Sequence, residues 1–295
     1  ALEILDKVLE KDGISASTGV PMTAAFGLKA TILLDLKKYE EAVECFKKLL
    51  ETDKKKLLPY VHIQLVNALR ILERDDEALE YCEKALEIEI NAEILVAKGE
   101  ILKKFGKYEE EIECYEKALE IDEKFVLAWI LKGQYLSRKK KHEEALECYN
   151  KGLEIDEKNL FAIFNKTFTL YELKKYEEAI ELYEKEIKEN PKNVTLLNNK
   201  ANLLSIMGKN EEAIECCNKS IELDENDEYG WCNKGEALLN LEKYEEAITQ
   251  FDKAIELNEK FYPAWKYKGT ALIKLGKTDE GLECLNKATE YAKSN

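Results

Sequence analysis

The residues best suited to chemistry in this chain are its thiols, imidazoles and paired acids. Five of the eight cysteines, Cys45, Cys114, Cys148, Cys216 and Cys284, recur at one place in a repeating pattern, which suggests a ladder of metal or redox ligands. Helices that pack side by side sit about 8–10 Å apart, too far for thiols on successive rungs to share a metal or a disulfide. Cys216 and Cys217 are adjacent on one helix and point about 100° apart, so they do not converge either. There is no CxxC, and these thiols read as small free hydrophobes. His62 falls where other copies of the pattern carry a tryptophan, and His142 where they carry Tyr244, so packing accounts for both. Paired acids such as Glu245-Glu246 open helix after helix, where the helix dipole favours negative charge. There is no HExxH, no GxGxxG, no GxxxxGK[ST] and no triad. The sequence therefore predicts no catalytic residue, no metal site and no cofactor.

What must position these side chains is a repeat, best kept between Glu228 and Phe261. Trp231, Gly235 and Leu238 lie on one face of a first helix, and Ala247, Phe251 and Ala254 on one face of a second. Asn240-Leu241-Glu242-Lys243 leaves room only for a tight turn, so the two helices form an antiparallel hairpin. The same pattern starts at Ala92, Val126, Leu160, Val194, Glu228 and Tyr262, at one constant interval. Two looser copies precede them: 59–91, one residue short, and 23–58, with an insertion around Lys54-Lys55-Lys56. Residues 1–12 match the second helix of a half repeat with Leu2, Leu5 and Leu9 on one face, and 13–22 read as a connector. The half repeat is expected either to cap the array or to mark a piece of a longer protein, and the lack of a polar capping helix after Ser294 to reflect truncation or end-to-end association.

A repeat so short overrides the length prior, because 295 residues then count hairpins rather than domains. The formal charge of −15 repels phosphate backbones and anionic lipid, so neither nucleic acid nor membrane is expected as a partner. Partners with basic segments are favoured. No apolar run has the length of a membrane span and the first ten residues do not resemble a signal peptide, so a cytoplasmic protein is expected. Three matches to the glycosylation sequon, at Asn165, Asn193 and Asn218, are read as chance.

A period of 34 with W-x2-[LK]-G-x2-[YL], then A-x3-[FY], then A, resembles the tetratricopeptide repeat over residues 23–295. The resemblance implies an all-α, right-handed α-solenoid, a superhelix of eight hairpins at 23–58, 59–91, 92–125, 126–159, 160–193, 194–227, 228–261 and 262–295. It also implies a non-enzymatic scaffold that binds a peptide or helical segment of another protein along its first helices. Departures from the pattern carry further expectations. The closing Pro is kept only at Pro191, and Glu123, Glu157, Glu225 and Glu259 replace it elsewhere, so helix ends should be less sharply set. Lys replaces the Leu before the first-helix Gly in seven copies, from Lys29 to Lys268; each stem should pack between helices and each ammonium reach a Glu on the preceding second helix. Glu111 and Glu186 stand at small core positions and are expected to reach solvent or a lysine, with local loosening.

Within the resemblance, the second, fifth, ninth and twelfth residues of each copy face the groove. At the start these are mixed: Tyr60, Ile63, Asn67 and Arg70, then Glu93, Glu100 and Lys103. The fifth copy differs. Phe161, Phe164, Phe168 and Tyr171 form a stripe opposite Ile163, Thr167 and Leu170, and a helix in a two-layer array cannot bury both faces. Together with Gln134, Asn198, Asn202 and Glu236 they make up the expected peptide site, with mutual packing of the aromatics as the alternative. The carboxylate grip of the family's chaperone-binding members is not expected, because Lys266 is followed by Thr270 rather than Asn and Asn198 with Asn202 lacks the Lys. Self-assembly through open ends, or a regulatory role in a larger protein, are the other functional readings.

Overall fold

A computed structural model describes Leu5 and residues 22–52 and 59–294. The half repeat apart from Leu5, the connector apart from Met22, and the insertion around Lys54 fall outside the described residues; Met22 opens the first helix rather than ending the connector. Every element described is an α-helix, and helices alternate along the chain as hairpins: α1 Met22–Asp35 with α2 Tyr39–Thr52, α3 Pro59–Ile71 with α4 Asp75–Ile88, α5 Ala92–Lys104 with α6 Tyr108–Ile121, and α7 Val126–Arg138 with α8 His142–Ile155. They continue as α9 Leu160–Glu172 with α10 Tyr176–Glu189, α11 Val194–Ile206 with α12 Asn210–Leu223, α13 Glu228–Asn240 with α14 Tyr244–Leu257, and α15 Tyr262–Lys274 with α16 Thr278–Ser294. The fold is an all-α helical-repeat solenoid. It divides into two compact units, 1–165 and 166–295, so the boundary falls inside α9.

The turn inside every hairpin is set by one residue in the left-handed region: Lys37, Glu73, Gly106, Lys140, Lys174, Gly208, Glu242 and Gly276. The next N–H then bonds back to a leucine carbonyl five residues earlier, as in Lys107 to Leu102 and Lys243 to Leu238, both at 2.9 Å. This is a Schellman closure, which satisfies carbonyls that the helix end would otherwise leave orphaned. Between hairpins the chain is held differently. Trp129, Trp231 and Trp265 donate their indole N–H to the carbonyls of Glu123, Glu225 and Glu259 at 2.8, 2.9 and 2.7 Å. Just upstream, Asp122, Asp224 and Asn258 accept the backbone N–H two residues on. The expectation of loose helix ends without proline is thus corrected: side-chain hydrogen bonds fix these links. Asn91, Asn159, Asn193 and Asp227 cap the first helices that follow them.

Inside each hairpin a glycine lets a ring approach the partner helix. A Cβ on Gly99, Gly133 or Gly235 would lie 2.5 Å from the ring of Tyr115, Tyr149 or Phe251, all three buried. Hairpins are joined by the lysines of the first helices. Lys98, Lys132 and Lys200 reach Glu83, Glu116 and Glu184 on the preceding second helices at 3.2, 2.9 and 2.7 Å, and Lys268 reaches Asp252 at 2.5 Å. Four of the seven lysines thus reach an acid on the preceding second helix as expected, with an aspartate in the last pair. Glu111 corrects the other core expectation, and neither it nor Glu186 lies open to solvent. Both are buried, at 0% and 2% exposure, and Glu111 pairs with Arg138 rather than with solvent or a lysine.

Candidate functional site

Consecutive first helices pack on one another within each unit, α3 with α5, and α11 with α13 and α13 with α15, so their outward residues make a continuous face. On α9 the core side is closed: Ile163, Thr167 and Leu170 are buried, with the Thr167 hydroxyl 2.9 Å from that of Tyr183. On the other side Phe161 is 47% and Phe168 59% exposed. Phe164 and Tyr171 are half-buried. Phe168 leans on Tyr171 and Tyr171 on Tyr176, with ring centroids 6.5 and 5.7 Å apart. Packing among aromatics thus covers Tyr171 while Phe168 keeps most of its ring in solvent.

The polar candidates behave differently from one another. Asn202 is half-buried and makes no side-chain hydrogen bond among the described residues. Gln134 donates to Asn165 Oδ1 at 3.0 Å, and Glu236 accepts from the Tyr267 hydroxyl at 2.7 Å, so each ties its helix to the next first helix. Asn198 departs from the expectation. It is 6% exposed, its Oδ1 accepts from Ser220, its Nδ2 donates to Asp227, and its carbonyl accepts from Asn233. With both ends of the carboxamide engaged and the side chain buried, it packs as a core residue.

A recess of 270 Å³ lies on the first-helix face of the first compact unit, between α3, α5 and α7. Ile63, Val96, Ala97, Phe125 and Leu127 give it an apolar lining; Asn67, Glu93 and an Arg70–Glu100 pair at 2.9 Å give it a polar rim. Val96 and Phe125 were absent from the expected surface, although Val96 holds the fifth position of its copy and the register pointed to it. A second recess, of 490 Å³, opens beside Trp265 at the last hairpin. Two of its lysines are already paired: Lys268 with Asp252, and Lys287 3.5 Å from Glu283 and 4.6 Å from the Trp265 ring.

The thiols are uniformly buried and free. Burial pushes Cys82 and Cys217 up to about 12 and Cys148 up to about 11, which removes the thiolate that redox or metal chemistry uses. No group of three or more His, Cys, Asp or Glu able to hold a metal occurs among the described residues. No helix there is long and apolar enough to cross a membrane.

Profiles described as tetratricopeptide repeat match residues 23–56, 63–89, 92–125, 126–159, 163–193, 194–227, 229–261 and 267–295. The chain belongs to the tetratricopeptide repeat family. Among solved structures it is similar to a tetratricopeptide repeat protein from Parabacteroides merdae, at 20% identity and a TM-score of 0.64 over 85% of this chain and 98% of that one. Yeast Tom70 gives 16% identity and the same TM-score, over 92% of this chain and 57% of its own. Cut9, in a hetero-tetramer with Hcn1, gives 16% identity and a TM-score of 0.59 over 99% of this chain and 56% of that one. At these identities the likeness establishes the tetratricopeptide fold. A search of curated proteins finds no match.

Proposed function

We propose that this tetratricopeptide chain is a protein-interaction scaffold that takes a peptide or helical segment of a partner on its first-helix face, anchored by the aromatics of α9. The carrying observation is that Phe168, on the part of α9 that belongs to the second unit, is 59% exposed beside Tyr171 while Thr167 and Leu170 are buried. Large exposed apolar groups of this kind mark contact surfaces. Asn202 supplies a carboxamide for backbone hydrogen bonds, and the net charge of −15 favours a segment that carries lysine or arginine. The division into eight hairpins at the boundaries given above is part of this proposal, and it assigns the chain no chemistry of its own. Replacing Phe161 and Phe168 together by Ser tests it: partners recovered by the unmodified chain should be lost while helical content and melting stay unchanged. Equal recovery by the variant would refute the α9 site.

Self-association is the second reading. Leu282 on α16 is 50% exposed, whereas Ile248 at the matching place on α14 packs against the core formed with α15. A mass that rises with concentration in light scattering, and falls back in Leu282→Glu, would favour it.

A further inference from the structure

The scaffold reading leaves the chemistry of the partner open, and the recess between α3, α5 and α7 narrows it. We infer that this recess takes one apolar side chain from an extended partner segment in which the next residue is a lysine or arginine, held by Glu93. The inference rests on the scaffold reading and adds to it a second anchor with a defined charge.

The recess holds 270 Å³, the volume of about nine waters, which is room for one large apolar side chain with its flanking backbone. Its floor is Val96 and Ala97, both buried, with Ile63 and Leu127 at the sides. The charges decide what can lie beside that side chain. Arg70 and Glu100 neutralise each other at 2.9 Å. Glu93 is exposed in the first turn of α5 and forms no salt bridge among the described residues, so the rim carries one uncompensated negative charge. A cation entering there meets an unpaired carboxylate, whereas an acidic segment meets repulsion from Glu93 and from a chain of net charge −15. Two groups remain for the segment's backbone. Asn67 has an exposed carboxamide, and Arg70 Nε is buried in the wall without an acceptor, a donor that a peptide carbonyl would satisfy. A free C-terminal carboxylate suits the recess poorly, because the guanidinium it would need is held by Glu100.

The test is an amide NMR titration of the full chain with blocked six-residue peptides that carry Leu-Lys, Leu-Glu or Ala-Lys within Gly and Ser, plus a Leu-Lys peptide with a free terminal carboxylate. The Leu-Lys peptide should give saturable shifts at Asn67, Val96 and Leu127, at least tenfold tighter than Leu-Glu or Ala-Lys. Glu93→Gln should remove the charge preference and Glu93→Lys reverse it, with unchanged melting in both. No saturable shift at these residues, a preference for Leu-Glu, tighter binding of the free carboxylate, or a preference untouched in Glu93→Lys would each overturn the inference. Shifts confined to Phe161 and Phe168 would remove this anchor and keep the α9 site; shifts confined to the recess would do the reverse.

Discussion

Arg138, at the end of α7, reaches back to α6 and sets one guanidinium nitrogen against both carboxylate oxygens of Glu111, at 2.7 and 2.6 Å. Glu111 is fully buried where the next four hairpins carry Ala145, Ala179, Ala213 and Ala247 and the last carries Gly281. Removing the cation would leave a buried carboxylate without a counter-charge, which costs about 3 kcal/mol. Arg138→Met should therefore lower stability in urea by about that amount, and adding Glu111→Ala should recover most of it. A loss under about 1 kcal/mol in the single variant would show that Glu111 gains another partner or water.

His62 makes the first compact unit sensitive to mild acid. The imidazole is 5% exposed, and burial holds its pKa below the ordinary value. The unfolded chain then binds the proton more readily, at a pKa of about 6.5, so stability is full above that value and falls as pH drops through the folded-state pKa. Melting monitored between about pH 7.5 and 5 should fall in the unmodified chain and fall less in His62→Phe. Identical slopes would contradict the assignment.

Backbone geometry gives a stabilising substitution. Lys140 and Glu242 adopt φ of 61° and 60° where other hairpins have Gly106, Gly208 and Gly276. A left-handed L-residue costs about 1–2 kcal/mol, partly offset by the larger entropy of glycine in the unfolded chain. Lys140→Gly should gain about 0.5–1 kcal/mol in chemical denaturation. The converse holds at Gly235, where a methyl group would meet the Phe251 ring at 2.5 Å; Gly235→Ala should cost about 1–3 kcal/mol.

The cysteines should be chemically silent in the folded chain. With all eight buried and Cys82 and Cys217 held near 12, iodoacetamide at neutral pH should label them only after denaturation. Rapid native labelling of any one would locate a segment that opens.

The sequence disclosed the repeat, the hairpins and the lysine rungs because each depends on spacing within about one helical period of a fixed register. It misplaced Asn198 for a reason visible at Ser220. Most hairpins close with a small apolar residue at that place, such as Ala118 or Ala254, whereas a buried serine needs a hydrogen-bond partner, and Asn198 turns inward to supply it. Register alone cannot report such an exchange, because it is decided between two side chains on different helices. Arg138 escaped notice likewise: its value depends on Glu111, which belongs to the hairpin before it. The tryptophan links were hidden by the proline they replace, since an indole N–H bonded to a carbonyl six residues back leaves no local composition signal.

The lysine rungs have a consequence for how such a chain can change length. Lys200 pairs with Glu184 on the second helix before it, whereas the matching place before Lys234 is held by Asn218, which carries no charge. Excising the stretch from Lys200 to Asn233 would put Lys234 in the register with Glu184 that Lys200 now holds, and rebuild the rung from a new pair. Loss at this place is thus quantised: removal of one whole repeat regenerates the electrostatic joint, while a cut of another size there leaves Lys234 out of register with Glu184.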